Sequence, residues 1–220
     1  MIITKTPYRI SFFGGGSDYP IWYKKFGGSV LSTTIDKYIY ISCRELPPFF
    51  DHKYRIVWSK IENVKTIDEI KHLTVRKLIK YNKIKSGLEI HYDGDLPARS
   101  GMGSSSSFSV GLMRALSNYQ HKDIKGINLA YKTIPFEQKI MNETVGSQDQ
   151  VAASVGGFNR INFLKNEKII VKKVLSNNLR RLNSNLLLLY TGIQRNADAV
   201  ASNYVHKLSN EKEKNVRKII

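Results

Sequence analysis

The segment from Pro97 to Ser107 reads Pro-Ala-Arg-Ser-Gly-Met-Gly-Ser-Ser-Ser-Ser, a glycine-rich loop that runs directly into serines. An apolar pattern of helical period follows, carried by Phe108, Leu112, Ala115, Leu116 and Tyr119. Glycines let a backbone approach a ligand closely, and a helix N-terminus presents free N–H groups at the positive end of its dipole. The serines can cap the helix and offer hydroxyls to a phosphate or a metal ion. We therefore expect a triphosphate at this loop.

This loop differs from the commoner phosphate-binding loops. It lacks the Lys-Ser/Thr ending of a Walker A loop, and no Gly-x-Gly-x-x-Gly occurs in the chain. On the residues alone, an ordinary capped helix after a flexible loop remains an open alternative.

Two further stretches combine glycine with charged side chains. Residues 7–19 read Pro-Tyr-Arg-Ile-Ser-Phe-Phe-Gly-Gly-Gly-Ser-Asp-Tyr, and residues 145–151 read Val-Gly-Ser-Gln-Asp-Gln-Val, shortly before a Gly-Gly pair. The triple glycine could form a flexible turn, and Asp149 could cap a helix. A merely flexible turn would leave Arg9 and Asp18 without a shared purpose, whereas capping by Asp149 stays an open alternative on the residues alone.

Taken together and in this order, the three stretches resemble the GHMP kinases, the family of galactokinase, homoserine kinase, mevalonate kinase and phosphomevalonate kinase. Galactokinases carry Glu-His where this chain has Gly15-Gly16. The triple glycine followed by Ser-Asp-Tyr-Pro is more similar to the bacterial D-glycero-D-manno-heptose 7-phosphate kinases.

The resemblance implies a role for individual residues. Asp149 would accept the proton of the sugar hydroxyl. Arg9 would stabilise charge on the reacting oxygens or lower the pKa of the pair formed by Asp149 and the hydroxyl. Mg²⁺ would be held by Glu137 with Ser105, or with Ser104. The ATP phosphates would be bound by Pro97, Gly101, Met102, Gly103, Ser104, Ser105 and Ser106. The sugar phosphate would be bound by Gly15, Gly16, Asp18 and Arg195.

The implied activity is ATP-dependent phosphorylation of the anomeric hydroxyl of D-glycero-D-manno-heptose 7-phosphate. Phosphoryl transfer asks a protein mainly for positioning and charge stabilisation. Three alternatives stay open: a neutral-sugar 1-kinase of the fucose or galactose type, an inactive remnant of a kinase, and an RNA-associated basic protein.

The expected fold class is α+β. A GHMP-type N-terminal domain, similar to the α/β sandwich of a ribosomal-protein domain, is predicted over residues 1–175. Residues 176–220 are predicted to begin a C-terminal α+β domain that is incomplete here. The last glycine is Gly192, so the family's third glycine-rich motif is missing, and the chain resembles a C-terminally truncated member.

Periodicity predicts strands and helices along the chain. Strands are expected at 8–13, 35–43, 54–59, 87–92, 158–164, 169–174 and 186–190. Helices are expected at 67–83, 104–119, 124–142 and 197–208. Pro135 lies within the third helix, where proline removes a backbone hydrogen bond at a cost of ~3 kcal/mol, so we expect a kink near Glu137.

Composition narrows the class of protein. The 220 residues carry a formal net charge of +17 and are 41% hydrophobic. That charge suits anionic substrates, although lysine is abundant throughout the chain. The basic clusters are not interleaved with aromatic platforms, so we expect no nucleic-acid partner. We expect no membrane partner and a cytoplasmic location, because no long apolar run or signal peptide is visible.

Cys43, the single cysteine, lies in a segment whose apolar and polar residues alternate as in a strand, and it is predicted to be a core residue. The sequence leaves the oligomeric state open.

Overall fold

The structure, a computed structural model, describes residues 1–98, 100–189, 191, 192 and 201. Within these residues one mixed sheet has seven strands, with helices packed against it. The strands are β1 (Ile2–Phe13), β2 (Gly28–Glu45), β3 (Tyr54–Val57), β4 (Ile61–Val64), β5 (Leu88–Gly94), β6 (Phe158–Phe163) and β7 (Ile169–Lys173). The helices are α1 (Pro20–Phe26), α2 (Leu73–Tyr81), α3 (Ser104–Tyr119), α4 (Ile127–Pro135), α5 (Gln148–Val155) and α6 (Leu179–Ser184). The predicted α+β class is confirmed.

The long strand β2 organises the sheet. It pairs antiparallel with β1 along most of its length, with β5 through its second half and with β6 through its first half. The strand order is β4-β3-β5-β2-β6-β7, and only β3 and β5 pair in parallel among these strands. Because β1 and β6 both run antiparallel to β2, the glycine turn after β1 lies at the end of the sheet where β6 finishes at Phe163. The start of β6 at Phe158 pairs with Thr33, next to the residue of β2 that pairs with Arg9.

Helix α3 fills the centre of the core. Four of the five side chains in its predicted apolar pattern, those of Phe108, Leu112, Ala115 and Leu116, are buried, and Tyr119 packs against the same cluster. The helix begins at Ser104 as predicted. Its N-cap is Gly103, and no side chain caps it, so the expectation that a serine caps this helix is wrong. Cys43 is buried as predicted, and burial raises the pKa of its thiol to about 12.

Strand β1 is irregular where it meets the glycine-rich loop. Its register with β2 shifts between Pro7 and Arg9 and again between Ser11 and Phe13. Such bulges redirect side chains and are common beside active sites. The Arg9 backbone N–H donates to the Met102 carbonyl oxygen at 3.4 Å, which ties the loop to the irregular part of the strand.

The irregularity expected at Pro135 is a change of helix type. Helix α4 ends at Pro135, and the chain continues as a π-helical turn over Phe136–Met141. Proline has no N–H to donate to the preceding turn. Glu137 therefore projects from a π-helical turn, an arrangement that is frequent at functional sites.

The predicted strand at 186–190 is wrong for the residues that the structure describes. Residues 186–189 form no strand, and their leucines are half or more exposed. A buried strand needs neighbours for its backbone groups, and none of the described strands pairs with this segment. The predicted helix at 197–208 lies outside the described residues, apart from residue 201. Helices α1, α5 and α6 and strand β4 were not predicted.

Candidate active site

Arg9 and Asp149 form a bidentate ion pair between β1 and α5. Arg9 Nε lies 2.7 Å from Asp149 Oδ1, and Arg9 Nη2 lies 2.6 Å from Oδ2. Their side chains are 16% and 23% exposed, so the pair is largely shielded but still reachable. Burial opposes the charge on Arg9, yet the adjacent Asp149 carboxylate outweighs it and raises the arginine pKa. Arg9 therefore stays cationic, and the fork geometry fixes the carboxylate plane.

The glycine-rich loop passes directly beside this pair. Arg9 Nη1 donates to the Gly101 carbonyl oxygen at 3.1 Å. Gly101 and Gly103 have φ values of 78° and 73°, in the left-handed region that favours glycine. A Cβ on Gly103 would lie 3.1 Å from Asp149 Oδ2 and 3.2 Å from Arg9 Nε. A side chain at this position would therefore press on both members of the ion pair.

The N-terminus of α3 presents unpaired backbone donors beside the loop. Ser107 N–H is the donor to the Gly103 carbonyl oxygen, so the N–H groups of the preceding first-turn residues have no partner within the helix. Ser104 is half-buried and Ser105 is exposed. Pro97 is exposed at the start of the segment, and Met102 packs against the core. The arrangement can hold an anion with backbone groups and the helix dipole together.

A buried polar cluster lies one turn into α3. Ser106 Oγ donates to Glu137 Oε2 at 2.8 Å, and Gln150 Nε2 donates to the same oxygen. Glu137 is fully buried, and this burial raises its pKa to about 7 against the hydrogen bonds that favour the charged form. The hydroxyl that contacts Glu137 belongs to Ser106, whereas the family resemblance implies Ser105 or Ser104 as its companion at the metal. The three serines differ only in the direction of their side chains in the first turn of α3. The sequence pattern does not reveal that direction.

The cluster has one property that fits a cation. Glu137 Oε1 is buried and has no hydrogen-bond partner, and an orphaned carboxylate oxygen is costly unless something pairs with it. Among the described residues, no group of three His, Cys, Asp or Glu side chains could hold a metal ion. A cation here would thus use one carboxylate, hydroxyls and phosphate oxygens, which is the ligand set typical of Mg²⁺ in nucleotide sites.

Asp18 is held by the protein. It is fully buried, and its carboxylate accepts hydrogen bonds from Gly16 N–H at 3.1 Å, Gln148 N–H at 3.1 Å and Gln148 Nε2 at 3.2 Å. Burial, reinforced by the charge of Asp149, raises the Asp18 pKa to about 6. The family resemblance implies that Asp18 binds the sugar. The structure instead places its carboxylate between the glycine turn and the start of α5.

The three glycine positions after β1 differ in the space and the backbone conformation that they offer to a side chain. A Cβ on Gly14 would lie 1.9 Å from the Ser29 carbonyl oxygen, and Gly14 and Gly16 both have positive φ. Gly15 has neither restriction: its nearest neighbour would be Gln148 Nε2, at 3.7 Å. The turn itself therefore does not require glycine at position 15.

The structure brings together residues from all three sequence stretches. Arg9, Gly103 and Asp149 lie within contact distance of one another, and Asp18 interacts electrostatically with Arg9 and Asp149. Arg195 lies outside the described residues. Sequence reasoning missed Gln148 and Gln150, which flank Asp149 on α5. The sequence feature that could have indicated them is the run of polar residues at the start of α5, although polar residues at a helix start usually face solvent.

Comparison with known proteins yields one matching family model, GHMP kinases N terminal domain, over residues 68–157. The chain is 30% identical to the D-glycero-alpha-D-manno-heptose 7-phosphate kinase of Campylobacter jejuni, across 96% of this chain and 66% of that protein. It is 24% identical to the galactokinase of Pyrococcus furiosus, across 94% of this chain and 57% of that protein. The chain thus spans less than two thirds of the length of these curated relatives.

Solved structures share the fold. A D-glycero-D-manno-heptose 1-phosphate kinase from Bacteroides thetaiotaomicron superposes with a TM-score of 0.73 at 24% identity, over 81% of this chain and 61% of that one. Lactococcus lactis galactokinase, solved with galactose, superposes with a TM-score of 0.61 at 19% identity, over 79% of this chain and 47% of that one.

Among the described residues, no helix has the length and apolar character needed to cross a bilayer.

Proposed function

Since this chain belongs to the GHMP kinases, we propose that it supplies the phosphate-binding loop and the catalytic pair of an ATP-dependent sugar kinase. The observation that carries the proposal is the contact of Arg9 and Asp149 with the loop at Gly103. A phosphoryl group bound at the N-terminus of α3 would lie next to a carboxylate that can accept a proton and a guanidinium that can offset charge. Both groups are what transfer to a hydroxyl requires.

In this proposal each part of the site has one task. The backbone N–H groups of the Gly101–Ser106 segment bind the β- and γ-phosphates of ATP. Asp149 orients the sugar hydroxyl and accepts its proton, while Arg9 stabilises charge on the reacting oxygens. Glu137, with a serine hydroxyl of the first turn of α3, would hold Mg²⁺, which supplies charge neutralisation on the phosphates when bound.

We propose D-glycero-D-manno-heptose 7-phosphate as the sugar substrate, phosphorylated at its anomeric hydroxyl. Two observations support this choice: the similarity to the Campylobacter jejuni kinase over nearly the whole chain and the absence of a side chain at Gly15, a position where a Cβ would meet only ordinary contact. The net charge of +17 also favours an anionic sugar over a neutral one. Residues 176–220 would then begin the second domain of the kinase.

Calorimetric titration with Mg-ATP tests the loop assignment. We expect the unaltered chain to bind and the Gly103→Val variant to lose binding, because the new side chain would contact both members of the ion pair. Circular dichroism of both proteins controls for folding. Equal binding by a folded variant would contradict the assignment, and RNA binding with a steep salt dependence and no nucleotide binding would favour the RNA-associated alternative.

An assay of phosphoryl transfer tests the substrate. It compares heptose 7-phosphate, galactose and fucose, using this chain and a chimera that adds the C-terminal part of the Campylobacter jejuni relative. We expect heptose 7-phosphate to give the highest kcat/KM. Faster turnover of either neutral sugar would overturn the heptose assignment while leaving the kinase assignment intact.

A further inference from the structure

We propose that Gln148 is a positioning residue that fixes the Asp149 carboxylate by bridging Ser11 and Asp18. The consequence for catalysis rests on the proposed kinase function. The geometric part of the proposal does not.

The Gln148 side chain uses both ends of its carboxamide. Its Oε1 accepts a hydrogen bond from Ser11 Oγ, and its Nε2 donates to Asp18 Oδ1 at 3.2 Å. A carboxylate needs donors, so the amide nitrogen must be the end that faces Asp18. A neutral side chain that donates at one end and accepts at the other fits these two partners, and glutamine is of that kind.

Two parallel bridges join β1 to the start of α5. Arg9 and Ser11 are two residues apart on the strand and so point to the same face. Their partners are the consecutive residues Asp149 and Gln148. One bridge alone would let the first turn of α5 rotate about it. The pair together fixes both the position and the direction of the Asp149 side chain.

The far end of the bridge is anchored in the interior. Asp18 accepts from Gly16 N–H and from Gln148 N–H, and its own carbonyl oxygen accepts from Ser147 N–H at 3.0 Å. These bonds tie the first N–H groups of α5 to the glycine turn. The Gln148 side chain completes the connection, so a shift of Asp18 would be passed to Asp149 through one residue.

Arg9 offers a direct spectroscopic readout. The Nε–H of an arginine paired with a carboxylate exchanges slowly with solvent, and Arg9 Nε donates to Asp149 Oδ1. We expect Gln148→Leu, which keeps the size but removes both hydrogen bonds, to speed exchange of this proton by about tenfold. Gln120→Leu, the same substitution at a glutamine that donates to the Asn82 carbonyl oxygen, is the matched control and should leave exchange unchanged.

The two ends of the bridge can be changed separately. Gln148→Glu keeps an acceptor for Ser11 but sets a second carboxylate against Asp18, so it should speed exchange. Ser11→Ala removes only the hydrogen bond to Gln148 Oε1, so it should speed exchange by a smaller factor than Gln148→Leu.

The enzymatic readout separates positioning from general damage. In any version that phosphorylates sugar, Gln148→Leu should lower kcat and leave the KM for ATP unchanged. Unaltered Arg9 Nε–H exchange in Gln148→Leu, or in both folded Gln148→Glu and folded Ser11→Ala, would overturn the proposal. Because the exchange measurement needs no sugar, a failure of the proposed function leaves this test standing.

Discussion

Two carboxyl groups in this site are buried deeply enough to change how the protein responds to pH. Glu137 and Asp18 are fully buried, and burial raises their pKa values to about 7 and about 6. An acid whose folded pKa exceeds its unfolded value holds its proton more tightly in the folded state. Each group therefore contributes stability at low pH that is lost as the pH rises through its folded pKa.

Glu137 allows this effect to be isolated. In buffer with EDTA, we expect Glu137→Gln to gain stability relative to the unaltered chain as the pH rises from 4.5 through about 7, by a few kcal/mol in total. Urea unfolding at several pH values measures the difference. Asn177→Gln, on an exposed side chain that carries no titratable group, is the control and should give a difference that does not change with pH. A pH-independent difference for Glu137→Gln would contradict the burial argument.

Asp149 carries the prediction for catalysis. In an active version of the kinase, Asp149→Asn should lower kcat by ~10²–10⁴, the range of a general base, while ATP binding is retained. The variant also leaves Arg9 without its ionic partner, so we expect a lower Tm. Arg9→Lys is a useful comparison, because it keeps the charge and loses the fork. A loss of less than about threefold in Asp149→Asn would show that Asp149 does not act as a base.

At the scale of elements, the site depends on how closely α5 approaches the glycine turn. The short loop before α5 passes so near Asp18 that a Cβ on Gly146 would lie 1.9 Å from Asp18 Oδ2. Gly146 has no positive φ, so its requirement is space alone. The N-cap residue of α5 makes no side-chain capping hydrogen bond. The Asp18 carboxylate, which lies outside the helix, accepts a hydrogen bond from the first N–H of α5, that of Gln148.

Gly146→Ala should therefore separate α5 from the turn. We expect it to destabilise the protein by about 1–3 kcal/mol, as overpacking does. Gly15→Ala is the matched control, since its Cβ would meet only ordinary contact, and it should change stability by less than about 0.5 kcal/mol. Thermal unfolding of both variants measures this. Equal Tm values would mean that the loop relaxes without cost.

The sequence predicted these elements unevenly, for physical reasons. Helix α3 was predicted with its bounds because one apolar face recurs over four turns next to a glycine-rich start. Helix α5 was missed because its eight residues are too few to display a period and begin with polar groups. The roles of Arg9 and Asp149 came from a family resemblance. Their pairing, and the place of Gln148, depend on distances between segments about 140 residues apart in the chain, which no local pattern contains.

Over the whole molecule, the polar site contrasts with an apolar cleft. The cleft has a volume of about 620 Å³. It lies between strand residues such as Phe12 and Phe158 and the segment that follows α6. Leu186, Leu187 and Leu188 line it and remain half or more exposed. An exposed apolar surface of this kind binds hydrophobic probes.

Binding of the dye ANS tests this cleft. We expect native protein to enhance ANS fluorescence, and Leu186→Ser with Leu188→Ser to remove roughly half of the enhancement without lowering Tm. Leu189→Ser is the control, because Leu189 is 73% exposed and does not line the cleft. An equal loss in the control variant would mean that the dye binds elsewhere.

The position of β2 in the sheet bears on synthesis of the chain. Strand β2 ends at Glu45, whereas its neighbour β6 begins only at Phe158. At 5–20 residues per second, a ribosome needs roughly 6 to 23 seconds to make the residues between them. During that time the β1–β2 hairpin can form, but the edge of β2 over residues 28–33 has no partner. A nascent chain with an open strand edge is prone to intermolecular pairing, so newly made protein should need chaperones most before β6 emerges.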